Sequence, residues 1–129
     1  MNAGADIIKT CSFNSNRFSQ EKYETQEFVY QMNLNAAKIA KEVCCEVPFN
    51  RSLRLVAGAI GPTNNRISPD NYDSFVEVYY EQINGLCVGG VDILLIETVV
   101  NTLSMSVTNC QYLYLLLLIP REICSMDRL

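Results

Sequence analysis

The residues best suited to chemistry in this sequence stand directly after short apolar runs. Glu97 follows the nearly continuous apolar run 91–96, which places a carboxylate at the end of a segment otherwise suited to burial. Small or polar residues follow two other apolar runs, at Ser12, Gly61, Thr63 and Asn64. Since binding and catalytic groups collect at the carboxyl ends of parallel strands, these positions form one candidate site. Every strand must end in something polar, so the spacing alone also fits ordinary turns.

Three apolar runs predict the strands that would position this site. They cover residues 5–8, 53–60 and 91–96. The last run is apolar at nearly every position, which is typical of a parallel strand covered by helices on both faces. Between the first two runs, apolar residues recur at spacings of three and four over residues 27–43. This spacing predicts an amphipathic helix.

A second helix is predicted between the second and third apolar runs. Asp73 or Ser74 is a suitable N-cap, Glu77 would complete a capping box with Ser74, and Gly89-Gly90 marks the end. Strands that alternate with helices in this way favour right-handed crossovers and a parallel sheet. The predicted fold class is therefore α/β, with about three parallel strand–helix units.

The composition limits the classes of function. The chain has 129 residues, of which 49% are hydrophobic and 19% charged, and its net charge of −4 offers no basic surface for nucleic acid. The longest apolar run, 112–119, is shorter than the ~18–20 residues that a bilayer span requires. The first residues lack the basic and apolar segments of a secretory signal. We therefore expect a cytoplasmic protein that contacts neither membrane nor nucleic acid.

Six cysteines and no histidine bear on metal binding and on disulfides. The cysteines form no C-x-x-C pair, although Cys44 and Cys45 are adjacent. A zinc site needs three or four ligands brought together. In the cytosol thiols stay reduced, and buried ones behave as small apolar groups. We expect neither a disulfide framework nor a metal site on this chain.

Several ordered segments resemble the homocysteine S-methyltransferase domain of cobalamin-dependent methionine synthases. They are residues 3–8 with 13–15, the helical segment 30–40, and residues 57–64, 79–86 and 89–98. Each segment is short, but together they match in order, spacing and content. The resemblance covers roughly residues 3–104. It predicts a partial homocysteine-binding barrel over residues 1–104 and a divergent tail over residues 105–129.

The resemblance implies an eight-stranded (β/α) barrel of the TIM type, of which this chain supplies an incomplete part. It implies that homocysteine is the substrate, that a thiolate-bound zinc activates the substrate sulfur, and that methylcobalamin supplies the methyl group. By the same resemblance, Glu97 of the Ile-Glu-Thr motif holds the substrate amino group through a charge-assisted contact. The other candidate residues would line the same substrate pocket: Ser12, Gly61, Thr63 and Asn64.

Departures from the family pattern limit what this chain is expected to do alone. Lys9 and Cys11 stand where the family has an acidic residue and an Asn, at the end of the first strand. The Cys44-Cys45 pair follows a helix and lacks the neighbouring glycines of the family's zinc-binding loop. A closed barrel also needs ~200–250 residues. We therefore expect this fragment to hold neither zinc nor methylcobalamin, and to be inactive in isolation.

Two other functions stay open at this point. The chain fits a non-catalytic remnant that binds another chain, or a second copy of itself, through unpaired sheet edges. It also fits a different small-molecule enzyme of the same barrel class. Beyond a helix predicted to begin near Thr102, the apolar run 112–119 fits a buried strand, a helix end or an unpacked extension.

Overall fold

Three parallel strands form the sheet in the computed structural model of this chain, which describes residues 5–46, 54–63 and 65–98. In chain order the strands are β1 (Ile7–Lys9), β2 (Leu55–Ile60) and β3 (Ile93–Ile96). β2 lies between the other two, and both pairings are parallel. The predicted α/β class is confirmed, and the three units are consistent with part of a TIM-type (β/α) barrel.

Helices of very different length connect and cover these strands. In chain order they are α1 (Arg17–Gln20), α2 (Val29–Glu46) and α3 (Tyr72–Val88). Single turns of 3-10 helix occupy Glu21–Tyr23, Gln26–Phe28 and Pro69–Asn71. The amphipathic helix predicted over residues 27–43 is present as α2, although its first turn is 3-10 rather than α. Within the described ranges, no helix has the length and hydropathy needed to cross a membrane.

The start of α3 differs from the prediction. The helix begins at Tyr72, so both predicted caps lie inside it and the predicted capping box at Ser74 is wrong. A capping box is present at the preceding 3-10 turn, where Ser68 and Asn71 exchange side chain-to-backbone hydrogen bonds. The Asn71 side chain accepts from the Ser68 N–H at 2.8 Å. Pro69 is the first residue of that turn, and its fixed φ favours winding from this point.

Some of the sequence predictions concern residues outside the described ranges. These predictions are the site residue Asn64, the helix near Thr102, the tail over residues 105–129 and the undecided run 112–119. The division between residues 104 and 105 also falls there. All of them stay predictions.

The register of the strands sorts their residues onto two faces. Lys9 pairs with Ala57, and Ala57 pairs with Ile93, so these side chains project to the same side of the sheet. Ala59 and Leu95 form the next paired row on that side, which we call the inner face. In a closed barrel this face is the packed interior. Here Leu95 is 39% exposed, so the inner face is partly open to solvent at β3.

The opposite face of β2 packs against the helices. Ile60 belongs to a buried apolar cluster whose other members come from α2, α3 and the loop before α3: Ala37, Ile67, Phe75, Tyr79, Ile83 and Leu86. The Phe18 ring on α1 packs edge-on against Phe75, with the ring centroids 4.9 Å apart. This contact attaches the segment after β1 to α3. The core thereby fixes all the helices to one side of the sheet.

α2 and α3 approach each other closely at two glycines of α3. A side-chain carbon on Gly85 would lie 2.7 Å from the carbonyl oxygen of Tyr30. One on Gly89 would lie 2.4 Å from Ala37 Cβ. The helices reach this separation only because neither position carries a side chain. The sequence indicated a helix end at Gly89, whereas its part in helix packing emerges only from the structure.

Replacing Gly85 with alanine is expected to destabilise the chain by roughly 1–3 kcal/mol, the usual range for overpacking. The sign is informative, because the same change at an uncrowded helical position stabilises by roughly 0.5–1 kcal/mol. Urea unfolding followed by circular dichroism measures the difference. The matched control is Asn84→Ala, at the adjacent and partly exposed position. A Gly85→Ala chain as stable as this control would contradict the close helix packing.

The Cys87 thiol on α3 is expected to make stability depend on alkaline pH. Burial raises the pKa of Cys87 from 9.0 to about 11, so the thiol ionises more readily in the unfolded chain. The stability that the buried neutral thiol contributes is therefore fully present below pH 9 and is lost as the pH rises to about 11. The loss in the free energy of unfolding is at most about 1.4 kcal/mol for each unit of the pKa difference.

Urea midpoints measured from neutral pH upward test this dependence. They are expected to fall through the alkaline range, and to fall less steeply in Cys87→Ala. Burial also raises the pKa of Tyr79, so part of the fall is expected to persist in the variant. Equal slopes for the two chains would show that Cys87 does not contribute.

Candidate functional site

The carboxyl ends of the three strands meet at one edge of the sheet, which we call the mouth. It comprises Lys9, Thr10 and Ser12 from β1 and its loop, Gly61 after β2, and Glu97 after β3. The backbone N–H of Glu97 donates to the carbonyl of Ile60 at 2.9 Å, which continues the pairing of β2 with β3 beyond the strands. The structure thus places the predicted residues Ser12, Gly61 and Glu97 at the same edge. Their contact with a substrate stays a prediction.

Lys9 and Glu97 form an ion pair across the mouth. Nζ of Lys9 donates a hydrogen bond to Oε2 of Glu97 at 3.1 Å and lies 3.0 Å from Oε1. The Lys9 side chain is 50% exposed and that of Glu97 is 27% exposed. Ion pairs so accessible to water contribute little to stability, typically about 0–1 kcal/mol. This pair can therefore open without a large cost to the fold.

One oxygen of the Glu97 carboxylate lacks a hydrogen bond. Oε1 is hidden from solvent and accepts no hydrogen bond, although Lys9 Nζ lies 3.0 Å from it in the ion pair. A buried acceptor without a donor costs free energy relative to one that is hydrogen bonded. The carboxylate can therefore accept a further donor at this oxygen, and a cationic N–H group is the strongest kind.

The residue after this carboxylate has an unusual backbone conformation. Thr98 has a φ of 56°, in the left-handed region that β-branched residues rarely adopt. Such a conformation costs roughly 1–2 kcal/mol and persists where the surrounding structure imposes it. Strain of this kind concentrates at functional sites, and here it immediately follows Glu97.

The hydroxyl groups of Thr10 and Ser12 tie β1 to β2 at the mouth. Ser12 Oγ donates to the Ala59 carbonyl at 2.7 Å, and Thr10 Oγ1 accepts from the Ala59 N–H at 2.9 Å. Since Ser12 has used its proton, Thr10 is the donor in the 2.6 Å contact between the two hydroxyls. Both residues are buried. The Ser12 hydroxyl therefore holds the strands together beneath the mouth.

Gly61 allows the loop after β1 to pack on the end of β2. Its N–H donates to the Phe13 carbonyl at 3.0 Å, and a side-chain carbon on Gly61 would lie only 2.6 Å from that oxygen. The Tyr79 hydroxyl donates to the Gly61 carbonyl at 3.4 Å. Burial raises the pKa of Tyr79, an effect that hydrogen bonding with Thr63 partly opposes. Thr63 is partly exposed. Both residues of the 61–63 segment predicted for the site are thus fixed from the helix side.

Two buried amides support the mouth from below and were not among the predicted site residues. Gln82 on α3 donates from Nε2 to the Ser12 carbonyl at 2.8 Å. Asn33 on α2 donates from Nδ2 to the Ser15 carbonyl at 2.7 Å. Both amides are fully buried, and they hold the loop after β1 in place. A polar residue on the apolar side of a predicted helix is the sequence signal that would have found them.

A second ion pair lies at the opposite end of the sheet. Lys41 on α2 contacts both carboxylate oxygens of Asp92, at 2.8 and 3.0 Å. Asp92 also accepts from the backbone N–H of Val56 at 2.7 Å. Since Asp92 precedes β3, this group ties the amino ends of the strands to α2. These contacts therefore stabilise the strand ends opposite the mouth and form no part of the candidate site.

One cavity among the described residues lies on the helices rather than at the mouth. It has a volume of about 500 Å³ and is lined by Arg17, Tyr30, Glu77, Val78, Tyr80, Glu81 and Asn84. Arg17 binds the Glu81 carboxylate through two hydrogen bonds, of 3.1 and 3.2 Å. Its hydrogen bond to Glu81 raises the pKa of Arg17. The cavity contains no residue of the mouth, and two of its charged side chains, Arg17 and Glu81, are already paired with each other.

Metal ligands are not grouped in the part of the chain that the structure describes. No three His, Cys, Asp or Glu side chains there are placed to hold a metal ion. Cys44 and Cys45 lie in the last turns of α2, away from the mouth, and burial raises the pKa of Cys44. The described residues therefore do not fit the thiolate zinc site of the family, and the expected absence of zinc from the whole chain stays a prediction.

Replacing Thr10 with valine is expected to destabilise the chain by roughly 1–3 kcal/mol, because the shape is kept while the buried Ala59 N–H loses its acceptor. Thermal or urea unfolding measures the loss. Thr63→Val is the matched control, since the Thr63 hydroxyl makes an exposed 3.3 Å hydrogen bond to the Asn65 carbonyl. Equal stabilities for the two variants would contradict a structural tie at Thr10.

Comparison with known families places this geometry in a functional context. The family model described as homocysteine S-methyltransferase matches residues 1–114. The match takes in all three described strands and the whole of the mouth. It covers well over half of the 129 residues. This chain therefore belongs to the homocysteine S-methyltransferase family.

Proposed function

We propose that this chain is the homocysteine-binding part of a methionine synthase, and that Glu97 binds the ammonium group of homocysteine. One observation carries the proposal: Oε1 of Glu97 is buried at the mouth and accepts no hydrogen bond. Membership of the family supplies the substrate class, since its members transfer a methyl group to homocysteine. The ammonium group of a ligand carries a positive charge and N–H donors, so it can supply the hydrogen bond that this oxygen lacks.

The other residues of the predicted pocket contribute in different ways. Gly61 follows β2 next to Glu97, and its missing side chain lets the Phe13 loop pack there, so Gly61 shapes the pocket wall. Thr63 is partly exposed on the same segment and offers a hydroxyl. Ser12 is fully buried and supports the site through the Ala59 carbonyl. Asn64, outside the described ranges, completes the proposed set.

Methyl transfer also needs groups that the described residues do not provide. In this proposal zinc and methylcobalamin are held by other parts of the enzyme, because no metal-binding cluster occurs in the described ranges. Zinc would lower the pKa of the homocysteine thiol and so supply a nucleophilic sulfur. What this chain does is to bind and orient the amino-acid end of the substrate. We propose accordingly that the chain binds homocysteine in the cytosol but is inactive when isolated.

Binding of L-homocysteine under reducing conditions tests the proposal. Titration calorimetry or ligand-observed NMR on the 129-residue chain is expected to detect binding that Glu97→Gln weakens by roughly 10- to 100-fold. That range corresponds to the loss of one hydrogen bond to a charged group, about 1.5–3 kcal/mol. Glu42→Gln is the matched control, since Glu42 is exposed on α2.

The same titration separates this proposal from an interaction fragment. The apolar inner face and the outer edges of β1 and β3 favour that alternative, because Ile7 is 53% and Leu95 is 39% exposed. A chain that self-associates and does not bind homocysteine would support the interaction fragment. Binding that Glu97→Gln and Glu42→Gln leave equally unchanged would exclude the proposed role of Glu97.

A further inference from the structure

We propose that Lys9 is a second ligand-binding residue of the mouth, which binds the carboxylate of a zwitterionic α-amino acid while Glu97 binds its ammonium group. The inference rests on the proposed function and extends it. It assigns a role to a residue that departs from the acidic residue usual in the family at this strand end. It also predicts that the site discriminates by both charges of the amino acid rather than by the ammonium group alone.

The position of Lys9 suits this role. Its partner in the register is Ala57, so Lys9 projects from the inner face, toward the side where a barrel encloses its ligand. Among the described residues, the Lys9 ammonium group makes its polar contacts with the Glu97 carboxylate. Half of the Lys9 side chain is exposed, so its ammonium group can move without dismantling the core.

The inner-face neighbours of Lys9 on β2 are small and do not hold its stem with bulky side chains. Ala57 and Ala59 are the inner-face residues of β2 next to Lys9, and both have the smallest side chain that a strand can carry. Both are buried, at 4% and 0% exposure. A lysine stem is flexible and apolar, and its head group has three donors with no fixed plane. The head group can therefore turn from Glu97 to a carboxylate nearby.

Charge balance favours exchange of the internal ion pair for a bound zwitterion. In the free chain the Lys9 ammonium and the Glu97 carboxylate neutralise each other at 3.0 and 3.1 Å. An α-amino acid also carries one positive and one negative group, close together. When it enters between the two side chains, each protein charge exchanges one partner for another and no net charge is buried. The buried Oε1 of Glu97, which lacks a hydrogen bond in the free chain, gains a donor from the ligand.

A different consequence would follow if Lys9 only blocked Glu97. In that case a ligand ammonium would compete with the lysine, and removing the lysine would tighten the binding of every amine. In the clamp proposed here, removing Lys9 weakens ligands that carry a carboxylate. The two mechanisms therefore predict opposite signs for the same substitution.

The test combines one substitution with three thiols of matched length. The thiols are L-homocysteine, 3-aminopropane-1-thiol, which lacks the carboxylate, and 4-sulfanylbutanoic acid, which lacks the ammonium group. In the unmodified chain, loss of the carboxylate is expected to weaken binding by roughly 10-fold or more. In Lys9→Met, homocysteine and 3-aminopropane-1-thiol are expected to bind with nearly equal affinity. Lys9→Arg, which keeps the cation, is expected to retain the preference for homocysteine.

Controls keep this result distinct from a change in fold. Lys38→Met makes the same chemical change at an exposed position of α2 and is expected to leave all three affinities unchanged. Circular dichroism spectra and unfolding midpoints of both methionine variants check that the chain folds. Equal weakening of all three thiols in Lys9→Met would indicate a structural role and would contradict the clamp.

The outcomes also separate this inference from the function on which it rests. If 3-aminopropane-1-thiol binds Lys9→Met more tightly than the unmodified chain, Lys9 competes with the ligand and the clamp is overturned. The proposed role of Glu97 is unaffected by that result. Homocysteine binding that depends on Glu97 but not on Lys9 would overturn the clamp alone. No binding of any of the three thiols to the unmodified chain would overturn both proposals.

Discussion

The parallel register of β2 with its two neighbours is the constraint on which the rest of the structure depends. Because both pairings run in the same direction, each strand delivers its following residue to the same edge. Glu97 and Lys9 are 88 positions apart in sequence and meet only for this reason. Antiparallel pairing of either outer strand would move one charge to the other end of the sheet. The mouth is thus a consequence of backbone hydrogen bonding before any side chain contributes.

The register is in turn supported by polar contacts at both ends of the strands. At the mouth, the Ala59 backbone is held on both sides, by Ser12 at its carbonyl and by Thr10 at its N–H. At the opposite end, Asp92 accepts from the Val56 N–H and binds Lys41. The apolar cluster around Ile60 also opposes a shift of one residue, because such a shift would turn Ile60 away from the helices. Hydrophobic burial and the hydroxyl and carboxylate hydrogen bonds therefore favour the same alignment.

The parts of this structure that the sequence could predict are those governed by local pattern. The apolar run ending at Glu97 and the helical spacing over residues 27–43 follow from periods of two and three to four residues, and both appear in the structure. The edge shared by Gly61 and Glu97 also follows from the strand–helix alternation. The predicted start of α3 was wrong because Ser68 and Ser74, six positions apart, are both suitable caps. Ser68, followed by Pro69, is the one that begins the helical turns.

Contacts that depend on the folded arrangement were beyond the sequence pattern. Gln82 reads as one more position along the apolar side of α3, yet its amide reaches the Ser12 carbonyl. Gly85 reads as a weak helix former, yet its missing side chain sets the distance between α2 and α3. In the sequence Lys9 is a departure from the family pattern, and only the 3.0 Å distance between Lys9 Nζ and Glu97 Oε1 shows which charge it faces. Each of these roles involves a partner far away in sequence, so no window along the chain contains it.

The charges at the mouth come from the two outer strands of the described sheet, and this has a consequence for how the site is tuned. β2 contributes only small residues there, so it acts as a spacer that sets the distance between Lys9 and Glu97. That distance changes with the twist between neighbouring strands, which averages roughly 20–25°. The strain at Thr98 and the unbonded Oε1 of Glu97 both lie on the β3 side. In the proposed clamp, ligand affinity therefore depends on the spacing of the two outer strands as well as on the residues that line the mouth.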